Sequence, residues 1–391
     1  MASSAVVSRR VSSDADSNAL SRAVALLCTE GGVLADLTES NPTRVGIAYP
    51  DDLLASLSDP ASLRYDPSPF GLASARRAVA EDHRRRGVTI DPTHVVLTAS
   101  TSEAYSWLFK LLCDPGDGVL VPQPSYPLFE HLTMFEGVRA HAYSTEYHGQ
   151  WVVDIESMAS APPDVRALLV VSPNNPTGSF LSADEFEHVT RLCRQRHWAL
   201  IVDEVFADYP LDAERPMTDL AARSEVLCFS LAGLSKTIGL PQAKLGWCIA
   251  GGPAAERDSA LAVLEVIADT YLSVGTPVQM AAPTLLAAGA PIRASIRDRT
   301  RRNLSTLRAL AAGCPATEVL RVGGGWSAIL RVPSTRSEEE LVLELLHEER
   351  ILVHPGYFFD FPRESYLVIS LLPPEGPFAE AVTRLLRFVQ C

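Results

Sequence analysis

Between about Leu63 and Gly252, short apolar segments alternate with amphipathic ones. The apolar segments are nearly continuous runs of Val, Ile, Leu and Ala, which is typical of strands buried on both faces of a sheet. They predict strands at Val95–Thr98, Gly118–Val121, Ala167–Ser172, Ala199–Val205, Val226–Leu231 and Leu245–Ala250. This part of the chain is therefore expected to form an α/β domain with a mostly parallel or mixed sheet.

Helix signals lie between these runs. Apolar side chains from Tyr105 to Leu112 recur at the spacing of one helix face. Ser182 and Glu185 form a capping-box signature, which predicts a helix over Ala183–His197.

Beyond Pro291 the pattern changes to that of a smaller α+β region. It predicts a long arginine-rich helix, two strands and a last helix, at Ile292–Ala312, Trp326–Val332, Tyr366–Leu371 and Phe378–Gln390. We expect a large central domain and a smaller one built from both chain ends. The predicted division is a flexible arm over 1–22, the N-terminal part of the small domain over 23–60, the large domain over 61–290 and the C-terminal part of the small domain over 291–391.

Composition narrows the class of protein. The 391 residues are 47% apolar and 21% charged, which fits an ordinary folded protein and excludes a disordered or fibrous one. The net charge of −13 disfavours an extended surface for nucleic acid or anionic membranes. No apolar run approaches the roughly 20 residues that cross a bilayer, and the N-terminus lacks the apolar segment of a secretory signal. We therefore expect a cytoplasmic enzyme or binding protein.

Cysteine and histidine spacings indicate no metal site. The seven cysteines are scattered and form no CxxC pair, and the nine histidines show neither HxxxH nor HExxH spacing. Small core residues in a reducing compartment account best for the cysteines.

A hydroxyl-rich segment follows the first predicted strand. Ser100, Thr101 and Ser102 lead into a helix, and the free N–H groups of a helix N-terminus bind anions, phosphate in particular. The segment is equally compatible with a plain capping box formed by Ser100 and Glu103. Taken alone, it leaves both interpretations open.

Charged side chains follow two other predicted strands. Asp203 and Glu204 end one apolar run, where a carboxylate needs a cationic partner. Lys236 follows the next run and is one of only three lysines among 34 basic residues. Of the other two, Lys110 lies within a predicted helix, where exposure to solvent is expected. A desolvated lysine can form a Schiff base, because burial destabilises its ammonium form.

Four motifs occur together in the order and spacing of one known family. They are Tyr65 with Gly71, Asn174–Gly178, Asp203–Val205 and Ser235–Lys236. On these motifs the chain resembles the class I/II aminotransferases, pyridoxal-phosphate enzymes of fold type I in the aspartate aminotransferase superfamily. The resemblance implies a large domain with a central mostly parallel sheet, a smaller α+β domain from both chain ends, and a homodimer.

The resemblance also implies a role for each matching residue. Lys236 would form a Schiff base with the cofactor and move the proton between substrate and cofactor. Asp203 would pair with the pyridinium nitrogen, Asn175 would donate to the phenolic oxygen, and Tyr126 would stack on the ring. The phosphate would be held by Ser100, Thr101, Ser102 and Tyr65 of the partner subunit.

Three positions depart from the family's pattern at the cofactor. Phe206 replaces a tyrosine, which removes one donor to the phenolic oxygen and should raise the pKa of the Schiff base. Lys244 replaces an arginine, and it can bind phosphate as a point charge without the bidentate fork. Gly233 replaces a hydroxyl residue, which weakens the phosphate site unless Ser230 or backbone groups compensate.

A fourth departure concerns the substrate. Val368 stands where the family places an arginine for the substrate α-carboxylate. Candidate replacements are Arg44 with its neighbour Asn41, Arg321 and Arg363. Each arginine is equally compatible with a solvated surface position.

The expected function is a ping-pong transfer of an amino group from an amino acid to a 2-oxo acid. The same Lys236–Asp203 pair would also serve a C–S lyase or a tailoring enzyme acting on a modified amino acid, and Val368 leaves that alternative open. A regulator that binds the cofactor without turnover is disfavoured by the negative charge and the lack of residues for a DNA-binding module. A non-PLP Rossmann-like enzyme is also disfavoured, because no GxGxxG follows the first strand.

Overall fold

The computed structural model describes residues 8, 10, 18–29, 34–212, 216–272 and 274–390. Its helices are α1 (Ala19–Thr29), α2 (Ala73–Arg84), α3 (Thr101–Leu112), α4 (Phe129–Glu136), α5 (Ile155–Ala159), α6 (Ala183–Arg196), α7 (Leu234–Thr237), α8 (Ala254–Tyr271), α9 (Thr276–Ala288), α10 (Ala290–Ala311), α11 (Glu338–Glu349) and α12 (Glu375–Gln390). Its strands are β1 (Ala35–Asp36), β2 (Val95–Thr98), β3 (Gly118–Gln123), β4 (Arg139–Tyr147), β5 (Trp151–Val153), β6 (Val165–Val171), β7 (Ala199–Asp203), β8 (Cys228–Gly233), β9 (Gly246–Gly251), β10 (Glu318–Val319), β11 (Ser327–Arg331), β12 (Ile351–Leu352), β13 (His354–Pro355) and β14 (Tyr366–Ser370).

An eight-stranded mixed sheet forms the centre of the molecule, with the order β2-β9-β8-β7-β6-β3-β4-β5. The five strands from β8 to β4 run parallel, whereas β9 is antiparallel to both of its neighbours and β5 is antiparallel to β4. Strands β7 and β8 are buried along their whole length. The predicted α/β architecture is thereby confirmed, with a mixed rather than purely parallel sheet.

Helices cover both faces of this sheet. On one face, Leu108 of α3 and Leu264 of α8 share an apolar cluster with Ile201 of β7. On the other, Val189 of α6 packs in a cluster with Leu200 of the same strand. Because successive strand residues point to opposite faces and both faces are covered, the first four residues of β7 are apolar, and only Asp203 at its end is charged.

A second, four-stranded antiparallel sheet has the order β10-β11-β14-β13. Its apolar cluster brings together the two ends of the chain: Leu20 and Leu37 pack in the same group as Leu304, Ile369 and Leu386. The domain boundaries remain a prediction. Most of the predicted arm over 1–22 lies outside the described residues, and α1 already begins at Ala19.

Within the described ranges, no helix combines the length and apolar character needed to cross a membrane. The same ranges contain no group of three or more His, Cys, Asp or Glu side chains that could hold a metal ion.

Candidate active site

Three neighbouring parallel strands end at the same edge of the large sheet. The register places Val171 of β6 beside Asp203 of β7, and Asp203 beside Leu231 of β8. The segments beyond these strand ends therefore lie side by side, which is where ligands bind in open α/β sheets. Asn175 follows β6, Asp203 ends β7 and Lys236 follows β8.

The Lys236 side chain lies against two aromatic rings. Its Nζ is 4.8 Å from the ring centroid of Trp326 and 5.4 Å from that of Phe206. Burial lowers the pKa of Lys236 to about 8, while the negative charge of Asp203 opposes this shift. Lys236 therefore has a substantial neutral fraction near physiological pH, as a nucleophilic amine requires.

Asp203 is a buried carboxylate with two hydrogen-bond donors. The Tyr105 hydroxyl donates to Oδ2 at 2.7 Å and the Val205 N–H donates to Oδ1 at 3.0 Å. Burial raises the pKa of Asp203, whereas these hydrogen bonds and the charge of Lys236 oppose that shift. Neither hydrogen bond involves a cationic donor, so a cationic ligand at this carboxylate would be favourable.

The backbone of Lys236 is held by Tyr209. The buried Tyr209 hydroxyl donates to the Lys236 carbonyl at 2.6 Å. The Tyr209 ring packs edge to face on Trp326 at 5.1 Å, and Trp326 packs on Phe206 at 5.2 Å. These contacts fix the loop after β7 and the segment before β11 around the lysine.

Asn174 joins two loops that carry predicted site residues. Its side-chain amide donates to the Pro124 carbonyl at 2.9 Å, and the Ser125 hydroxyl donates to its Oδ1 at 2.9 Å. These bonds hold the segment with Tyr126 against the segment with Asn175. The motif was recognised from the sequence, but this role of Asn174 was not.

The N-terminus of α3 keeps donors for an anion. Ser100 caps the helix by accepting the Glu103 N–H at 3.1 Å, and the Glu103 carboxylate accepts the Ala99 N–H at 2.6 Å. The capping interpretation is therefore correct for Ser100. The hydroxyls of Thr101 and Ser102 have no protein partner in the described part of the chain, and the first N–H groups of a helix have no intrahelical acceptor. Capping and anion binding are thus compatible here.

Close packing explains the missing hydroxyl at Gly233. A Cβ atom on Gly233 would lie 3.0 Å from both the Gly246 Cα and the Leu245 carbonyl oxygen. Ser230 does not take over the missing role, because its Oγ accepts the Ala221 N–H at 3.1 Å and bonds to the buried Glu204 carboxylate.

Lys244 is exposed in a left-handed backbone conformation with φ of 52°. No ion-pair partner for its ammonium is found over the described ranges. It is therefore free to bind an anion as a point charge.

Tyr65 and Tyr126 are exposed, at 63% and 49% of their surface. Neither hydroxyl has a protein partner among the residues that the structure describes. Both rings therefore remain accessible to a ligand or to another subunit.

The small sheet approaches this edge through β11. The Ser327 hydroxyl lies 3.5 Å from Asn175 Oδ1. Ile329 points to the same side of the strand as Ser327, and the buried Val368 pairs with it in register. Val368 thus lies in an apolar cluster on this side of the sheet, together with Ile329.

The three candidate arginines lie at the surface. Arg44 pairs with Glu39 at 3.4 Å, Arg321 bonds to a neighbouring glutamine, and Arg363 is exposed. The Asn41 side chain accepts a backbone N–H and caps the short turn that carries Arg44. Over the described ranges none of these side chains contacts Lys236.

The sequence patterns did not identify two tyrosines of the site, Tyr105 and Tyr209. Both occupy apolar positions and were indistinguishable from packing residues. The available signal was general: a tyrosine in a core position needs a partner for its hydroxyl.

Comparison with known proteins identifies a family. The model of the family described as aminotransferase class I and II matches residues 37–385. Glutamate-pyruvate aminotransferase AlaA of Haemophilus influenzae is 26% identical over 370 residues, which is 92% of this chain and 91% of that protein. Alanine aminotransferase of Mycobacterium bovis is 28% identical over 378 residues, 93% of this chain and 87% of that protein.

Solved structures share the fold. Alanine aminotransferase of Pyrococcus furiosus has a TM-score of 0.86 at 23% identity and covers 95% of this chain and 96% of its own. A double mutant of Thermus thermophilus aspartate aminotransferase has a TM-score of 0.84 at 23% identity, covering 98% and 99%. The predicted fold class is confirmed. None of these four proteins is named as a lyase.

Proposed function

The chain belongs to the aminotransferase class I and II family, and we propose that it is a pyridoxal-phosphate-dependent aminotransferase. It uses Lys236 to move an amino group from an amino acid to a 2-oxo acid. One observation carries the proposal. A lysine amine with a lowered pKa and a buried carboxylate that lacks a cationic hydrogen-bond donor follow adjacent parallel strands at the ligand-binding edge of the sheet.

The residues at this edge fit pyridoxal phosphate. Asp203 offers a carboxylate to the ring nitrogen, and Asn175 offers an amide to the phenolic oxygen. The phosphate would meet the hydroxyls of Thr101 and Ser102, the helix N-terminus capped by Ser100, and the Lys244 ammonium. Tyr126 is exposed and free to stack on the ring.

When bound, the cofactor supplies an electron sink for the electron pair left as the substrate Cα–H bond breaks. The Lys236 amine would accept the proton that leaves the substrate Cα at its Nζ and deliver it to the cofactor, and its pKa of about 8 suits both transfers. Asp203 holds the proton on the ring nitrogen. Trp326 and Phe206 exclude water on one side of the amine.

The names of the relatives support small substrates. Those of Haemophilus influenzae and Mycobacterium bovis are named for glutamate, pyruvate or alanine, and we extend to this chain only the coarse class of amino acid and 2-oxo acid.

Arg44 is the favoured ligand of the substrate carboxylate, because a chain of contacts links it to the site. Arg44 pairs with Glu39, and the Glu39 carbonyl accepts a hydrogen bond from the Ser370 hydroxyl. Ser370 in turn pairs in register with Ser327 of the site. Arg44, Arg321 and Arg363 are each replaced by alanine. The substrate KM should rise in the variant that lacks the arginine that binds the carboxylate and stay unchanged in the other two. An unchanged KM in all three variants contradicts the hypothesis that one of them binds the carboxylate.

We also propose a cytoplasmic homodimer in which Tyr65 of the partner subunit reaches the phosphate. Exposed apolar side chains support an interface, because a subunit contact would remove them from water. Leu63, two residues before Tyr65, is 90% exposed, and Val266 on α8 is 67% exposed.

Covalent trapping tests the assignment of the lysine. Borohydride reduction of the holoenzyme, followed by peptide mass spectrometry, should place the cofactor on Lys236. Lys110 and Lys244 are internal controls in the same digest. Attachment to either of them, or to no lysine, contradicts the proposal.

A further inference from the structure

The carboxylate proposed to bind the cofactor's ring nitrogen has a donor that belongs to another element of the fold. The Tyr105 hydroxyl, from α3, donates to Asp203 Oδ2 at 2.7 Å. The other oxygen, Oδ1, accepts the Val205 N–H from the adjacent loop at 3.0 Å. The Asp203 carboxylate is thus oriented by two hydrogen bonds, one from helix α3 and one from the loop that follows β7.

The environment of Tyr105 permits it only to donate. Its side chain is 2% exposed, with its ring edge to face on Phe129 at 5.5 Å and tilted on Phe109 at 6.0 Å. Burial, and then the neighbouring carboxylate, raise the pKa of Tyr105 well above its ordinary value. The hydroxyl therefore keeps its proton, and Asp203 is its only hydrogen-bond partner in the described part of the chain.

A hydrogen bond donated to a carboxylate favours its ionised form, whereas burial favours the neutral acid. At Asp203 the Tyr105 hydroxyl opposes the effect of burial. When a ring nitrogen shares a proton with this carboxylate, the Tyr105 bond shifts the proton towards the nitrogen.

Helix α3 also carries the candidate phosphate ligands. Thr101 and Ser102 precede Tyr105 by four and three residues, so all three side chains lie on one helix face. The same rigid element therefore holds the donors for the phosphate and the donor to Asp203. A displacement of α3 would affect both ends of the cofactor together.

We propose that Tyr105 is a positioning residue that keeps Asp203 ionised and oriented towards the ring nitrogen of pyridoxal phosphate. This inference rests on the proposed function. It assigns no contact between Tyr105 and the cofactor itself, because the phenol acts through the carboxylate.

The test compares Tyr105→Phe with the wild-type protein in binding two ligands. One is pyridoxal phosphate and the other is its carbon analogue, in which the ring nitrogen is replaced by C–H. The variant should bind pyridoxal phosphate about tenfold more weakly or worse, since a hydrogen bond to a charged group is lost. Its affinity for the carbon analogue should be unchanged or improved. In turnover, kcat should fall while the amino-acid KM changes little.

Tyr143→Phe is the matched control. Tyr143 is also a fully buried tyrosine with one hydroxyl bond, to the Leu169 carbonyl at 3.1 Å. This variant should bind both ligands as the wild type does. Equal losses for both ligands in Tyr105→Phe would show a packing role and overturn the inference, as would the absence of any loss.

A second measurement covers the case in which Tyr105→Phe does not fold. Wild-type chain carrying 3-fluorotyrosine at position 105 keeps the hydroxyl, and its fluorine resonance should shift on binding pyridoxal phosphate and shift much less with the carbon analogue. Equal shifts would overturn the inference. A wild-type protein that binds no pyridoxal phosphate would overturn the proposed function, whereas normal wild-type transamination with an unaffected variant would overturn only the role of Tyr105.

Discussion

Burial and the mutual attraction of Lys236 and Asp203 act in opposite directions on the pKa values of these two residues. Burial lowers the pKa of Lys236 and raises that of Asp203, and the charge of each group opposes the shift of the other. Desolvation dominates at both residues. Lys236 is therefore more reactive than a surface lysine, because an amine with a pKa of about 8 is about half neutral at pH 8 and can attack a carbonyl group.

The pH dependence of Lys236 reactivity follows from this balance. Below about pH 8 the amine becomes protonated, so its rate of acetylation by acetic anhydride in the apoprotein should rise with pH and level off above a midpoint near 8. In Asp203→Asn the midpoint should move lower, since the attraction that raises the pKa is removed. Peptide mass spectrometry gives the rate for Lys236, with the exposed Lys244 as the comparison in the same sample. A midpoint near 10 in the wild type would contradict the account.

Phe206 provides a second prediction for a single residue. Its ring lies 5.4 Å from Lys236 Nζ and contacts Trp326, and it has no hydroxyl to donate to the cofactor. Phe206→Tyr should therefore lower the pKa at which the visible absorption of the bound cofactor changes. Spectrophotometric pH titration of both proteins checks this. An equal or higher pKa in the variant would show that the missing hydroxyl is not responsible.

The positions of Lys236 and Asp203 after apolar runs were sufficient to mark them as candidates, whereas Asn175 was identified through the family resemblance. Residue types and spacing were insufficient for Tyr105, whose position matches the apolar face of α3 and whose hydroxyl finds Asp203 only after β7 is placed beside that helix. The contact joins residues 98 positions apart. Such pairings depend on tertiary packing, which local spacing does not encode.

Among the elements, the start of β9 and the N-terminus of α3 are unusually close. A Cβ atom on Gly246 would lie 3.0 Å from the Ser100 carbonyl carbon, 3.1 Å from Thr98 Oγ1 and 3.2 Å from the Thr101 nitrogen. Two of these three atoms are backbone, so the helix terminus itself would have to move. The glycine therefore determines where the candidate phosphate donors lie.

Gly246→Ala should weaken cofactor binding and lower the free energy of unfolding by about 1–3 kcal/mol, as overpacking does. Gly376→Ala is the matched control, because an added Cβ there meets nothing within 4 Å and the residue lies in α12. The control should be as stable as the wild type or more stable. Equilibrium denaturation and cofactor titration of the three proteins measure both effects. Unchanged cofactor affinity in Gly246→Ala would contradict the proposed place of the phosphate.

The elements were predicted best where burial is complete. Strand β2 has the predicted bounds, and β7 is shorter than its apolar run because the Val205 N–H bonds to the Asp203 side chain rather than to a strand. The pattern did not predict β4, which has exposed polar residues near the sheet edge. It also predicted neither α8, whose exposed Val263 and Val266 obscure its apolar face, nor α9, which has an internal proline.

For the whole molecule, the proposed homodimer brings residues of two chains to each site. Tyr65 is exposed in a single chain, and its role depends on a partner subunit. Mixed dimers of Lys236→Ala and Tyr65→Phe test this, because a hybrid has one site with both defects and one with neither. Both homodimers should bind the cofactor more weakly and turn over more slowly than the wild type, and mixing should raise both properties above the level of either homodimer. No recovery in hybrids of verified composition would place Tyr65 in its own subunit's site, and a fully active Tyr65→Phe homodimer would place it outside any site.

The most direct test of Lys236-dependent transamination is the visible absorption spectrum of the purified protein, before and after adding a panel of amino acids, with Lys236→Ala as the control. We predict a cofactor band that Lys236→Ala alters and that at least one amino acid converts to the pyridoxamine form, with a 2-oxo acid restoring it. Release of pyruvate and ammonia without a 2-oxo acid acceptor would instead indicate elimination. The absence of any band with added pyridoxal phosphate would contradict the proposed function.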